Sequence, residues 1–382
     1  MSQTTTTTMR ERVPDDVVED ILGQLPVKSL TRFRCVSKSC DSIITDPTFI
    51  TKHLKLNLNQ SESLISTNTH SGYLLYTTKV KNSSPSSKHL CTVVCNNDST
   101  LTQISRFEIP SLFEKYSIVG FCNGLFCLAS RDNDLNHIIY LWNPSIRMFK
   151  KLLATDKDTT SVIGLAYNSQ NNDFKILRLV CFFGGQEAEA QIYSLSTDLW
   201  RKVVISMESL RGYEPNFGTI VQIHPPCIFL NGALHTVAFT IRHRFILSFD
   251  VNDESFREIM LPPNHLDGVP VNFAQLAVFK GSLAVFVFVH GRRGILCHIW
   301  VMEEYGVAES WTRKYMVPMN WVWNGYFFGC TDNGELLIKN ATGPVSIDPE
   351  SPNLNILAIG DADWMGFTAN SMESLILLDG GK

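Results

Sequence analysis

The chain has 382 residues, 44% hydrophobic, 10% aromatic and 18% charged, a composition that supports a sizeable core and excludes wholesale disorder. Its formal net charge of −4 offers no basic field to release counterions, so no nucleic-acid partner is expected. The longest strongly apolar run, residues 283–289, is too short to cross a bilayer, and the Thr-rich start has no secretory core; the expectation is an intracellular protein, cytoplasmic or nuclear, without a membrane partner.

Residues 1–11 read as a disordered polar tail and residues 12–54 as short helices. In the first helix Val17, Val18, Ile21, Leu22 and Leu25 recur at helical spacing, and Pro14, Asp15 and Asp16 suit a first turn. Pro26 ends it. A second segment repeats apolar residues at Val27, Leu30 and Phe33. Ser37 is placed to cap a third, which carries Ile43 and Ile44 and stops before Pro47, and Phe49, Ile50 and Leu54 suggest one last short turn. About forty residues of short helix bury too little surface to stand alone, so this module needs a partner or a seat on the rest of the chain.

The run from Val13 to Ser39, with Pro14, Ile21-Leu22, Leu25-Pro26, Lys28-Ser29-Leu30, Arg32-Phe33-Arg34 and Val36-Ser37-Lys38-Ser39 in that order, resembles the F-box of the large plant F-box family. The resemblance implies that Pro14, Ile21, Leu22, Leu25, Pro26 and Leu30 face a Skp-type adaptor, and through it a cullin. One position departs: Cys40 stands where the family usually carries Trp. The smaller side chain leaves less packing volume under the third helix, so weaker adaptor binding is the expected consequence.

From residue 55 to residue 382 the pattern changes to short strands. An apolar strand, a tight turn and a second strand recur at Gly72, Gly124, Gly232, Gly281 and Gly334, spaced 52 (72 to 124), 108 (124 to 232), 49 (232 to 281) and 53 (281 to 334). The 108-residue gap is two units, and its missing turn falls at Asn171-Asn172-Asp173, where Asn and Asp tolerate the left-handed backbone that Gly supplies elsewhere. A second marker is an aromatic that opens a strand beside basic residues, at Phe149, Trp200, Phe256 and Trp311. Its steps are 51 (149 to 200), 56 (200 to 256) and 55 (256 to 311), in phase with the turns. A unit of about fifty residues is the range of a kelch-type blade, so the expected fold is a small all-α F-box followed by an all-β, kelch-like propeller of about six blades. The closing strand is expected from residues 54–58 or from residues 375–378. The pairing of Cys122-Asn123-Gly124-Leu125 with Leu141-Trp142-Asn143-Pro144 also resembles the F-box-associated region of the same plant family, including S-locus F-box-like proteins, which implies capture of a target protein.

Nothing in the sequence points to catalysis. It lacks a nucleophile elbow, a His-Glu-x-x-His helix, a phosphate-cradling loop and a dinucleotide fingerprint, and the ten cysteines show no Cys-x2-Cys spacing. No metal site and no cofactor are therefore expected. His235 is expected to be a buried, hydrogen-bonded core residue. If the tight turns share one propeller face, the long loops share the other, and loops carry function more often than tight turns do. That face is expected to hold Arg242, Arg244, Arg292 and Arg293 in one sector, with Trp321 and Trp323 nearby, as the target-binding surface. The resemblance implies the non-catalytic substrate receptor of a Skp-cullin-F-box ubiquitin ligase, the alternative being a kelch-like interaction scaffold outside any ligase.

Overall fold

The computed structural model describes residues 13–65, 72–79, 88–95, 101–109, 116–131, 137–154, 159–182, 188–205, 220–240, 243–262, 274–291, 294–319, 326–351, 353–359, 362–368 and 373–377. The helices come first: α1 (Asp15–Gly23), α2 (Val27–Phe33), α3 (Lys38–Ile44) and α4 (Pro47–Ile65). Pro14 stands at the cap of α1 with Asp15 and Asp16 in its first turn, where negative charge meets the unpaired amides. The Ser37 hydroxyl caps α3 by accepting from the Cys40 amide at 3.1 Å. The expected last short turn is instead a helix of 19 residues, which runs past the boundary drawn after Leu54. Leu54-Lys55-Leu56-Asn57-Leu58 is helical within it and is not a strand. Leu54 and Leu58, four apart, share one helix face and join the propeller core, while Leu56 lies next to Gly23 of α1.

Six four-stranded antiparallel sheets follow. The strands are β1 (Tyr73–Lys79), β2 (Lys88–Cys95) and β3 (Leu101–Glu108), then β4 (Tyr116–Cys122), β5 (Leu125–Arg131), β6 (His137–Asn143) and β7 (Met148–Ala154). The third sheet is β8 (Thr159–Asn168), β9 (Asp173–Phe182), β10 (Glu189–Ser194) and β11 (Leu199–Val203), and the fourth is β12 (Gln222–Leu230), β13 (Ala233–Phe239), β14 (Arg244–Asp250) and β15 (Phe256–Met260). The fifth is β16 (Ala274–Phe279), β17 (Ser282–Gly291), β18 (Gly294–Met302) and β19 (Trp311–Pro318), and the sixth is β20 (Tyr326–Cys330), β21 (Leu336–Asn340), β22 (Gly343–Ile347) and β23 (Leu354–Ile356). β24 (Ala362–Thr368) returns to the first sheet and pairs antiparallel with β1, from Tyr73 opposite Thr368 to Thr78 opposite Ala362. The first strands of successive sheets, β4, β8, β12, β16, β20 and β24, lie side by side around the axis, and the ring closes where Phe121 of β4 meets Trp364 of β24 edge to face at 5.7 Å. Neither expected closing segment is used.

Both rulers of the sequence have a physical origin. The turns from first to second strand hold left-handed residues at Asn123-Gly124, Asn172, Asn231-Gly232, Lys280-Gly281 and Gly334. Gly72 keeps the same spacing although no hairpin exists there, because it stands where the first strand of its sheet would turn into the second, and that first strand arrives from residues 362–368. A side chain at Gly72 would collide with the Phe367 ring of the arriving strand. The aromatics sit opposite large apolar partners on the third strand: Phe149 faces Trp142, Trp200 faces Tyr193, Phe256 faces Phe249 and Trp311 faces Met302. Two residues earlier than the first three of them lie the left-handed residues Arg147, Asp198 and Glu254.

Between each pair of neighbouring sheets the described residues form a wedge of buried apolar side chains, six in all, including one between the first and sixth sheets around Leu74, Tyr76, Leu337 and Met365. A ring of sheets leaves no inner edge for another chain to pair with. His235 is fully buried, its Nε2 is 2.7 Å from the Tyr305 hydroxyl, and burial pushes the imidazole down to about 4.

Candidate interaction surfaces

The helical module has two apolar stripes with different fates. Leu22, Val27, Leu30, Ile44, Phe49 and Ile50 form its interior, with Val18, Leu25, Cys40 and Ile43 packed at the margin. Leu22 and Leu30, expected on the adaptor-facing surface, are therefore core residues, at 3% and 0% exposure. One step round α1, Val17 and Ile21 are four apart and remain 42% and 58% exposed, and Val13, just before the cap residue, is 52% exposed. Pro14 and Pro26 are exposed, Leu25 is half-buried, and Phe33 and Val36 add further exposed apolar surface. Val17 and Ile21 were legible together as an i, i+4 pair of the first helix; Val13, Phe33 and Val36 carry no such signal.

Polar contacts fix the attitude of this stripe. Lys52 of α4 reaches Glu19 at 3.1 Å and Asp20 at 2.9 Å on α1, and Arg34 meets Asp41 at 2.7 Å between α2 and α3. The buried His53 ring nitrogen Nε2 lies 3.1 Å from the Leu25 carbonyl, and burial holds its imidazole below the usual range, favouring the neutral form. α1 is thus clamped to α4 by charge at one end and by a hydrogen bond at the other.

The module rests on the propeller. Leu375 lies in the helical core with Ile146 and Ile376 against it, and Leu54, Leu58 and Leu377 join the wedge between the second and third sheets. Ile146 belongs to the turn between β6 and β7. In an antiparallel meander the first-to-second and third-to-fourth turns emerge on one face and the second-to-third loops on the other. The helical module therefore sits on the tight-turn face, and the long loops face away from it.

Of the target-binding residues expected on that loop face, Arg244 alone lies within the described residues; Arg242, Arg292, Arg293, Trp321 and Trp323 lie outside them. Arg244 opens β14 directly opposite Phe239, with its guanidinium carbon 5.5 Å from the ring centre. In the loop between them Thr240 accepts from the His243 amide at 3.2 Å, and the His243 ring is 3.3 Å from a Glu258 carboxylate oxygen. Among the described residues no group of three or more His, Cys, Asp or Glu side chains could hold a metal ion, and no helix is long and apolar enough to cross a membrane.

Residues 11–52 match the F-box domain and residues 60–367 match the F-box associated beta propeller domain. The chain belongs to the F-box proteins with an associated β-propeller. Similar members of this group include an F-box/kelch-repeat protein of Arabidopsis thaliana, 30% identical over 322 residues that cover 80% of this chain and 79% of that protein. A second Arabidopsis thaliana F-box protein is 28% identical over 374 residues, covering 86% and 83% of the two chains, and a third is 24% identical over 402 residues, covering 96% and 89%. An F-box joined to a propeller is the architecture of non-catalytic substrate receptors, and the F-box implies a Skp-family adaptor.

Proposed function

We propose that this protein is the substrate-recognition subunit of a Skp-cullin-F-box ubiquitin ligase, holding the adaptor at its helical module and a target protein at the long-loop face of its propeller. The observation that carries the reading is the exposed apolar pair Val17 and Ile21 on α1, with exposed Val13 just before its cap, on a module whose interior is already filled. Apolar residues that complete a core are accounted for by folding; a second, solvent-facing stripe on the same short helix calls for a partner. Pro14, Ile21, Leu25 and Pro26 contact the adaptor in this reading, and Leu22 and Leu30 set the shape of that surface from beneath. The target meets Arg242, Arg244, Arg292 and Arg293, whose positive charge suits an acidic or phosphorylated partner, with Trp321 and Trp323 as apolar anchors. The chemistry is proximity: bridging raises the effective concentration of target lysines near a charged ubiquitin-conjugating enzyme, and the receptor moves no proton itself.

The test is retention of a purified plant Skp-type adaptor by the immobilised chain. The parent retains it and Ile21→Asp does not, while both unfold at the same temperature. If the parent retains none, the interaction-scaffold reading replaces this one.

A further inference from the structure

Residues 373–377 touch both bodies of the molecule at once. On the helical side a Glu373 carboxylate oxygen, Oε2, accepts from the Val27 amide at 2.9 Å. Val27 is the first residue of α2, whose cap residue Pro26 makes no side-chain cap hydrogen bond, so the acidic group answers an unpaired helix-end donor from 346 positions away. The Asn57 side-chain amide of α4 donates to the Glu373 carbonyl at 3.4 Å, and Leu375 is buried in one cluster with Leu22, Leu30 and Phe49.

On the propeller side the fully buried Asn143, last residue of β6, donates from Nδ2 to the Ser374 carbonyl at 2.9 Å and to the Ile376 carbonyl at 2.8 Å. Its other amide atom, Oδ1, accepts from the Ser145 amide at 2.9 Å, which fixes the side chain in that pose. Leu377 then enters the wedge between the second and third sheets. Leu375 and Leu377, two residues apart, thus plug into two different cores, and the carbonyl of the residue before each is held by one buried asparagine.

We propose that residues 373–377 are a strap that locks the F-box at one angle to the propeller, making helical module and propeller a single rigid body. α4 alone lies on the propeller along one line, through Leu54 and Leu58, and a single line of contact leaves rotation about it free. The strap adds a second line, through α2 and the β6–β7 turn, and two separate lines remove that freedom. The rigidity is independent of any partner. Its consequence, that the adaptor surface and the loop face keep a fixed mutual direction, rests on the receptor reading above.

The experiment places spin labels, through a non-natural amino acid, at the exposed positions Lys38 on the module and Met316 on the propeller, and measures their distance distribution. The parent gives one narrow peak. Asn143→Ala, which removes both of the strap's hydrogen bonds to the propeller without touching the helical core, and a chain ending at Met372 each broaden it at least twofold. Adaptor retention by Asn143→Ala shows that the module itself stays folded. A peak as narrow in both variants as in the parent would overturn the strap. If the parent retains no adaptor yet the variants broaden the peak, the strap stands and the receptor reading falls.

Discussion

The helical module and the propeller meet the same demand, removal of apolar surface from water, in opposite ways. Each sheet of the propeller buries both faces against its neighbours, and the ring returns to its start through β24, so five of its six wedges are built from its own strands and the segments between them, while the one between the second and third sheets also takes in Leu54, Leu58 and Leu377. The module is too small for that solution. It borrows Leu375, Ile146 and Ile376 to finish its interior and leaves Val13, Val17 and Ile21 in water. A closed body serves as a platform, and an unfinished one advertises a contact.

The comparison is broken most severely by removing closure. A chain ending before Ala362 loses the innermost strand of the first sheet, uncovers the β1 edge and opens the wedges on either side of that sheet. It is expected to lose cooperative thermal unfolding, followed by circular dichroism, and to aggregate through the uncovered edge. Next in size, Leu30→Asp puts an unpaired charge into the fully buried interior of the module and costs about 3–5 kcal/mol, abolishing helical order there while the propeller transition survives. Ile21→Asp sharpens the contrast: it changes stability by no more than ~0.5 kcal/mol, because that side chain already faces water. Two apolar-to-acid changes on the same small module should therefore separate folding from binding.

Within the propeller, His235 supplies a pH signature. Its imidazole titrates near 4 when folded against 6.5 ordinarily, so between those values the unfolded chain binds the extra proton and stability falls as the pH falls. At about 1.4 kcal/mol per pH unit, this residue contributes roughly 3 kcal/mol of loss across the window. His235→Gln is expected to be less stable than the parent at neutral pH and to show a flatter decline between pH 6.5 and pH 4, read by denaturant titration at several pH values. Within the propeller a smaller effect is expected from Trp311→Phe, which keeps the ring opposite Met302 but removes the 2.8 Å hydrogen bond from the indole to the Met260 carbonyl of the neighbouring sheet. A loss of about 1 kcal/mol in the same titration is the expected result.

The propeller was legible in the sequence because its repeated turns demand left-handed residues and its strand pairs demand large partners, constraints that act within a few residues of each other. The closing strand was not. Ala362–Thr368 carries no alternation that separates it from other short segments, and its partner β1 lies at the far end of the fold, so pairing is decided by ring geometry. Helix α4 was cut short because Leu54, Leu56 and Leu58 imitate a strand over five residues, and only a longer window separates the two periods. On the module, helical spacing revealed apolar residues on α1 but not which of two adjacent stripes turns inward. That choice is made by α4 and Leu375, and it moved Leu22 and Leu30 from the surface to the core. The arginines and tryptophans expected on the loop face rest on position in the repeat, and of them Arg244, at the start of β14, lies within the described residues.

The bond between Val27 and Glu373 joins residues 346 positions apart, and this sets a timetable for synthesis. A ribosome adding roughly 5–20 residues per second makes Glu373 about 20–70 s after Val27, so the first domain to emerge waits on one of the last segments for its final core residue and its helix cap. Until then its apolar interior stays accessible to chaperones. Messages cut short before this segment yield chains whose helical module lacks Leu375 and the Glu373 cap, and in the receptor reading such chains are expected to compete poorly for adaptor. Completion of the propeller and of the helical module is thereby tied to the same few residues, so in the receptor reading the chain joins its adaptor only after the ring has been made.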